Sequence, residues 1–102
     1  MIERHWKGTA KKEEAENYIA HLETETLPRL KTIDGFIRAS ILRRPAGKDV
    51  EFLIITAWNS MDAIRQFAGA EPELAVVPAS VQKMMISFDE RVFHYEVVLN
   101  RG

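Results

Sequence analysis

Histidine and tyrosine side chains carry most of the acid–base chemistry that this sequence offers. There are three histidines and two tyrosines, and histidine, whose unperturbed pKa is about 6.5, can take or release a proton near neutral pH. Such a group beside a bound substrate can act as a general acid or base, provided that the site excludes water. We therefore predict His94, His21 and Tyr18 as catalytic residues.

Each histidine also has an ordinary structural interpretation. His94 lies between two aromatic residues on a predicted strand, so it is either a satisfied core or interface residue or a pocket residue. His21 lies one turn before Glu25 on a predicted helix, so it either faces solvent or reaches the mouth of a pocket beside Tyr18. His5 shares a predicted strand face with charged residues, which favours exposure.

The sequence predicts no metal site. It contains no cysteine, which excludes thiolate ligands, disulfides and a cysteine nucleophile. His21 with Glu25, and His94 with Glu96, are spaced to share one helix or strand face. Each pair lacks the third protein ligand that a catalytic zinc site normally has.

A catalytic site of this kind would also need an apolar cavity and a nearby positive charge to stabilise an anion. We predict a cavity between helices and sheet, with Leu22, Trp58, Phe67 and Met84 as substrate-binding side chains, and Arg38 as a candidate positive charge. Aromatic and methionine side chains also serve simply to fill a core, so Trp58 and Met84 have that second interpretation.

The composition is that of an ordinary globular chain. Hydrophobic residues make up 46% and charged residues 28% of 102 residues, which predicts a single domain spanning 1–102. The net charge is −1, and the only basic clusters are the pairs Lys11-Lys12 and Arg43-Arg44, so no nucleic-acid partner is predicted. No run approaches the ~18 apolar residues of a membrane span, so we expect a cytoplasmic protein with no membrane partner.

The N-terminal third predicts a strand followed by a long helix. Ile2 to Gly8 has the character of a strand, Gly8 ends it, and Thr9 caps the next helix. Apolar residues then recur at steps of three and four as far as Leu30. We expect Pro28 to kink this helix rather than end it.

The rest of the chain predicts three more strands and two shorter helical segments. In chain order these are strands at Phe36–Arg43 and Val50–Trp58, a helix capped by Asn59 or Ser60 and ended by Gly69, a short helical segment from Val81 to Phe88, and a strand at Arg91–Leu99. The order strand, helix, strand, strand, helix, strand is the split βαβ pattern of α+β ferredoxin-like folds. It predicts a four-stranded antiparallel sheet with helices on one face.

The stretch Val50 to Trp58 predicts a partner. It is apolar at nearly every position, which is typical of a strand covered on both faces. The predicted helices suffice for one face of the sheet, so a monomer would leave a large apolar patch in water. We predict a homodimer joined through sheet faces.

Four segments resemble the antibiotic biosynthesis monooxygenase family of dimeric α/β barrels. They are Tyr18–Leu22 with Leu27-Pro28, the turn Asp34–Phe36, the run Phe52–Ser60 and the ending Arg91–Val98. The resemblance covers essentially the whole chain and implies the ferredoxin-like fold and the dimeric barrel. It also implies a small monooxygenase that uses no cofactor and acts on a phenolic or polycyclic aromatic substrate.

The haem-degrading branch of this family matches the residues less well. Counted on from the strand-end Trp matched by Trp58, the resemblance aligns a Trp of those enzymes with Phe67 and their haem-ligating His with Val77. A valine side chain has no lone pair for iron. Their strand-one Asn is also absent from Ile2–Gly8, so we expect no haem degradation.

A second function class stays open beside the enzyme. A non-catalytic dimer could bind a small apolar ligand or act as an accessory protein in a pathway. Catalysis needs polar groups that converge on one bound ring, whereas a binding cavity can be apolar throughout. The two classes therefore differ in whether a His, Tyr or Arg side chain points into the largest cavity.

Overall fold

The computed structural model describes residues 1–102 and contains one antiparallel sheet with short helices. The strands are β1 (Ile2–Ala10), β2 (Phe36–Ala46), β3 (Asp49–Trp58), β4 (Met85–Phe88) and β5 (Phe93–Glu96). The helical elements are a 3₁₀ turn (Lys12–Glu14), α1 (Ala15–His21), a π-helical segment (Leu22–Thr26), α2 (Leu27–Lys31), α3 (Met61–Ala68) and α4 (Ala79–Gln82).

Strand β1 is at the centre of the sheet. The order is β2-β3-β1-β4, and β5 pairs with the same edge of β1 as β4 does, but at the other end of the strand. All pairings are antiparallel. This arrangement confirms the predicted α+β ferredoxin-like fold, with β3 as an interior strand between β1 and β2.

Alternation along the strands separates a face covered by the helices from an open face. Side chains of β3 at even positions point toward the helices, where Phe52 and Trp58 are fully buried. Tyr18 of α1 packs edge-on against Phe52, with 4.9 Å between ring centroids. Leu53 and Ile55 alternate with these residues and lie on the open face of the sheet.

The predicted kink at Pro28 takes the form of a π-helical segment. In Leu22–Thr26 the hydrogen bonds span five residues, as in the bond from the Leu27 N–H to the Leu22 carbonyl. Pro28 then occupies the first turn of α2, where a missing N–H leaves no intrahelical bond unmade. Helical structure therefore continues to Lys31 through one widened turn.

Two local predictions for the N-terminal and C-terminal thirds were wrong. Thr9 does not cap a helix, because β1 continues to Ala10 and Thr9 pairs with Glu51 and Ser87 in the sheet. The apolar spacing from Val81 to Phe88 is not one helix. It combines the end of α4 with β4, which pairs with β1 from Met85 onward.

The final strand is also shorter than predicted. Hydrogen bonding within the sheet covers only Phe93–Glu96 of the predicted Arg91–Leu99. The Val97 N–H still donates to the carbonyl of Met1, but Val98 and Leu99 are exposed.

Helix α3 begins and ends as the sequence predicts. Ser60 is its N-cap, and the Ser60 hydroxyl accepts from the Ala63 N–H at 3.2 Å. Gly69 ends the helix with a φ of 87°, a conformation that glycine adopts without strain. The helix carries Phe67 toward the sheet, where its ring stacks on Trp58 at 6.1 Å between centroids.

The buried side chains form two separate clusters. The larger lies under α1 and α4 and includes Tyr18, Phe52 and Val81. The smaller lies under α2 and α3 and includes Leu30 and Trp58. Since the clusters do not merge, the middle of the helix-covered face is not filled.

Candidate functional site

A cavity of about 90 Å³ lies between the helices and the sheet. Its wall includes Leu22 of the larger core cluster and Leu30 of the smaller one, so it occupies the region between the two clusters. The exposed residues Val76 and Pro78 contribute its rim. Thirteen of the 18 lining residues are hydrophobic, so polar groups in the wall are few.

Several of the residues predicted from the sequence line this cavity. Tyr18 and His21 of α1, Leu22 of the π segment and Phe67 of α3 all contribute to its wall. The widened turn matters here, because π segments often occur at functional sites and this one supplies both Leu22 and Thr26 to the wall.

Trp58, Met84 and His94 lie outside the wall. Trp58 is fully buried between Phe36 and Phe67, and its indole N–H donates to the Thr56 hydroxyl at 2.8 Å. Met84 packs against the larger core cluster. Both therefore match the core-filling interpretation, because each is directed into packed side chains rather than into the open volume.

His94 contacts a guanidinium instead of the cavity. Its Nε2 lies 3.1 Å from Nη1 of Arg4, its cross-strand neighbour on β1. Desolvation and the adjacent Arg4 charge lower the pKa of His94, so the imidazole is neutral at pH 7. Its Nε2 then accepts from Arg4, which requires the proton on Nδ1.

Arg4 is a cation in the wall that the candidate residues did not include. Its side chain is 5% exposed, and it lines the cavity. Nη2 donates to the Leu74 carbonyl at 3.0 Å, and Nη1 donates to the Pro72 carbonyl. Burial lowers the pKa of Arg4 from 12.5 to about 10, which still leaves the group charged at pH 7.

A signal for Arg4 was present in the sequence. Alternation places Arg4 between Ile2 and Trp6 on the same strand face, and a cation between two large apolar residues of an interior strand is expected to be buried with them. The partners that hold it come from Pro72 and Leu74, 68 and 70 residues further along the chain. Strand periodicity contains no information about those partners.

Tyr18 contributes a hydroxyl with no partner inside the protein. Its side chain is 2% exposed, yet its hydroxyl makes no hydrogen bond to another protein group. No buried side-chain nitrogen or oxygen is both sealed from solvent and without a partner, so this hydroxyl reaches the cavity. Burial raises the pKa of Tyr18, which keeps the hydroxyl protonated.

Arg38 and His5 lie away from the cavity, on the open face. Arg38 donates to Glu3 at 3.3 Å, and the same carboxylate lies 2.9 Å from Nε2 of His5. The prediction that Arg38 supplies the positive charge was wrong, because the register of β2 pairs it with Ala57 and directs it to the opposite face. Arg4 is the guanidinium in the cavity wall.

The structure contains neither a cluster of metal-ligating side chains nor a membrane-spanning helix. No three His, Cys, Asp or Glu side chains are grouped closely enough to hold a metal ion. None of the helices combines the length and the apolar character needed to cross a bilayer.

The solved structures most similar in shape include both oxygenase-named and haem-degrading proteins. One from Bacillus cereus, named after the antibiotic biosynthesis monooxygenases, is 19% identical with a TM-score of 0.69, over 99% of this chain and 94% of that one. A haem-degrading protein from Mycobacterium tuberculosis, with two haems bound in its active site, is 17% identical with a TM-score of 0.61, over 100% of both chains. A dimeric ferredoxin-like protein from an uncultured marine organism is 16% identical with a TM-score of 0.61, over 98% of this chain and 96% of that one.

These likenesses establish the fold, which both kinds of protein share, and they do not decide between the two chemistries. Among functionally curated proteins, none is similar enough in sequence to count as a match. The sequence model of one family does match, and it spans residues 1–78. The chain belongs to the antibiotic biosynthesis monooxygenase family.

Proposed function

We propose that the protein is a cofactor-free monooxygenase that oxidises a small phenolic substrate. The observation that carries the proposal is the presence of Arg4, Tyr18 and His21 in the wall of one largely apolar cavity. A cavity used only to bind an apolar ligand needs no such set, since burying polar groups without partners is unfavourable.

Each polar group has a role in forming and holding a phenolate. The charge of Arg4, in surroundings that exclude water, stabilises the negative oxygen far more than it would in solvent. Tyr18 remains protonated and donates a hydrogen bond to the same oxygen. His21 is the imidazole in the wall, and in this proposal it accepts the phenol proton.

The phenolate then supplies the electrons that reduce dioxygen. Oxidation of the ring C–H opposite the hydroxyl gives a quinone: one oxygen atom of O₂ becomes the new carbonyl and the other leaves as water. The substrate provides all the electrons, so the reaction balances as phenol plus O₂ to quinone plus water. The enzyme contributes ionisation, orientation and exclusion of water.

The cavity volume favours a single-ring substrate. An engineered apolar cavity of about 150 Å³ holds benzene, whereas this cavity measures about 90 Å³. One ring would therefore fill it and extend toward the rim at Val76 and Pro78. The polycyclic substrates that the family resemblance includes would need the helices to move away from the sheet.

Haem does not fit the residues of this site. A tetrapyrrole is several times larger than a single ring, and the cavity is too small for it. The wall position that corresponds to the family's haem ligand is Val77, which has no donor atom for iron. Haem degradation is the chemistry of one structurally similar protein, seen in several solved structures, and likeness of fold does not carry it over to this chain.

The open face of the sheet supports a homodimer. It carries Leu42, Leu53, Ile55, Phe93 and Tyr95, and Leu42, Phe93 and Tyr95 are 46%, 61% and 53% exposed. An apolar face of this kind in water favours association, and a second copy of the same face is complementary to it by two-fold symmetry. The dimeric ferredoxin-like neighbour has the same fold.

Aerobic incubation with a panel of single-ring phenols tests the enzyme proposal. Quinone absorbance and oxygen consumption should rise together, in equal molar amounts, without added metal or cofactor. Arg4→Met should lower kcat/KM by about 100-fold, the usual effect of losing one group that stabilises an oxyanion. Arg65→Met removes an exposed guanidinium on α3 and should leave the rate unchanged. No oxidation of any phenol in the panel would refute the proposal.

A further inference from the structure

The guanidinium of Arg4 forms no ion pair with a carboxylate. The five ion pairs of the structure involve other residues. The hydrogen-bond partners of the Arg4 guanidinium are two backbone carbonyls and the neutral ring of His94, and the guanidinium also lies over the Phe67 ring, 5.8 Å from its centroid. Buried cations in proteins are usually paired with an anion. The charge of Glu73 acts on Arg4 and raises its pKa, but no ion pair forms between them, so the Arg4 guanidinium has no direct anionic partner in the folded chain.

Arg4 also has hydrogen-bond donors to spare. A guanidinium carries five N–H groups, and protein acceptors account for both on Nη1 and one on Nη2. The N–H on Nε and one on Nη2 make no contact with a protein acceptor. Free guanidinium N–H groups are suited to binding a negatively charged oxygen or a carboxylate.

Tyr18 adds a third free donor to the same wall. Its hydroxyl is without a protein partner although the residue is 98% buried, given its 2% exposure. Since no sealed polar side-chain atom lacks a partner, the free N–H of Nε and the Tyr18 hydroxyl both face accessible space. The rest of the wall is mainly aliphatic or aromatic, so a ligand is expected to be apolar except at these donors.

We infer that the cavity selects a single-ring aromatic ligand that carries an oxyanion, held by the free N–H groups of Arg4 and the hydroxyl of Tyr18. The inference deepens the proposed function, because it rests on the same cavity and names the charge of the substrate. An arylcarboxylate and an ionised phenol share this chemistry, and both match one anionic group on a flat apolar ring.

Titration with benzoate and with benzamide tests the charge preference directly. The two probes have the same ring and nearly the same shape, and only benzoate is an anion. Because benzoate can form two charge-assisted hydrogen bonds that benzamide cannot, benzoate should bind at least about 100-fold more tightly than benzamide. Arg4→Met should abolish that difference, and Arg65→Met should preserve it.

Titration with 4-nitrophenol tests the phenolate arm. The phenolate absorbs visible light and the phenol does not, so absorbance reports which form is bound. The protein should lower the pH at which the bound probe ionises. Benzoate binding alone would assign the oxyanion to a carboxylate, and nitrophenolate binding alone would assign it to a phenolate. Equal binding of benzoate and benzamide, or no binding of any probe, would overturn the inference.

A second variant protects the test if Arg4→Met does not fold. Tyr18→Phe keeps the ring that packs on Phe52 and removes only the hydroxyl, so it should weaken benzoate binding by about tenfold and leave benzamide binding nearly unchanged.

The experiments distinguish failure of the oxygenase proposal from failure of the anion-binding inference. Tight benzoate binding without phenol oxidation would refute the oxygenase alone, and phenol oxidation with no preference for anions would refute this inference alone.

Discussion

Replacing Arg4 with methionine should weaken ligand binding while leaving the fold at least as stable as before. Burial lowers the pKa of Arg4 from 12.5 to about 10, and one pKa unit corresponds to about 1.4 kcal/mol, so the buried charge costs the folded state about 3 kcal/mol. Because the folded pKa lies below the unfolded one, this cost is fully present below about pH 10 and declines only above it. It is therefore constant across the neutral range.

The substitution removes that cost and creates another. The carbonyl of the buried residue Pro72 loses its donor, which costs about 1–3 kcal/mol, while the carbonyl of the exposed residue Leu74 can bind water instead. The two effects partly cancel, so the free energy of unfolding should rise by no more than about 2 kcal/mol. For a chain of this size, that is an increase in Tm of less than about 16 °C.

Urea unfolding followed by tryptophan fluorescence, with and without benzoate, measures both effects. Benzoate at 100 times its Kd should stabilise the natural protein by about 2.7 kcal/mol, and a variant that binds about 100-fold more weakly should gain only about 0.4 kcal/mol. Arg65→Met is the control and should gain as much as the natural protein. A loss of 3 kcal/mol or more in Arg4→Met without ligand would show that Arg4 is needed mainly for folding, and equal protection by benzoate would refute its role as an anion-binding group.

Three further outcomes follow from the fold and the cavity. Gly35→Ala places a methyl group 2.5 Å from Oδ1 of Asn59, whereas the methyl group of Gly47→Ala, also at positive φ, meets nothing within 4 Å. In urea unfolding, Gly35→Ala should therefore lower the free energy of unfolding by about 1–3 kcal/mol more than Gly47→Ala does. Equal losses in the two variants would contradict the packing argument. Ile55→Asp on the open face should convert a dimer to a monomer in size-exclusion chromatography with light scattering, and a natural protein that is monomeric at micromolar concentration would refute the dimer. Haemin titration should give no sharp Soret band, and tight stoichiometric binding of haemin would refute the argument that the cavity is too small for a tetrapyrrole.

The arrangement of the sheet could be predicted from the sequence because it depends on local alternation and turn residues. Strand β3 and the cap of α3 at Ser60 were predicted within a residue or two. Short elements were not, because a four-residue helix followed by a four-residue strand has apolar spacing that resembles one helix. Pairing with β3 also determines where β1 ends, and this overrides the local signal of Gly8.

The site was less accessible to sequence reasoning than the fold. Tyr18, His21 and Leu22 share one helix face, so their proximity follows from helical spacing. The environment of Arg4 depends on the loop carbonyls of Pro72 and Leu74, and such tertiary contacts leave no trace in periodicity. The geometry places His94 beside Arg4, and acid–base chemistry alone gave no reason to expect that contact.

The π-helical segment fixes the angular phase of the helices on either side of it. Each residue of an α-helix turns the chain by about 100°, so a turn that contains one extra residue rotates α2 by that amount relative to a continuous α-helix. Removal of a single exposed residue, such as Thr24, would restore α-helical hydrogen bonding and turn Leu27 and Leu30 away from the positions they now occupy beside the cavity. The shape of the cavity is therefore set by one residue of chain length, so a homologue that lacks this residue would keep the sheet while having a differently shaped binding site.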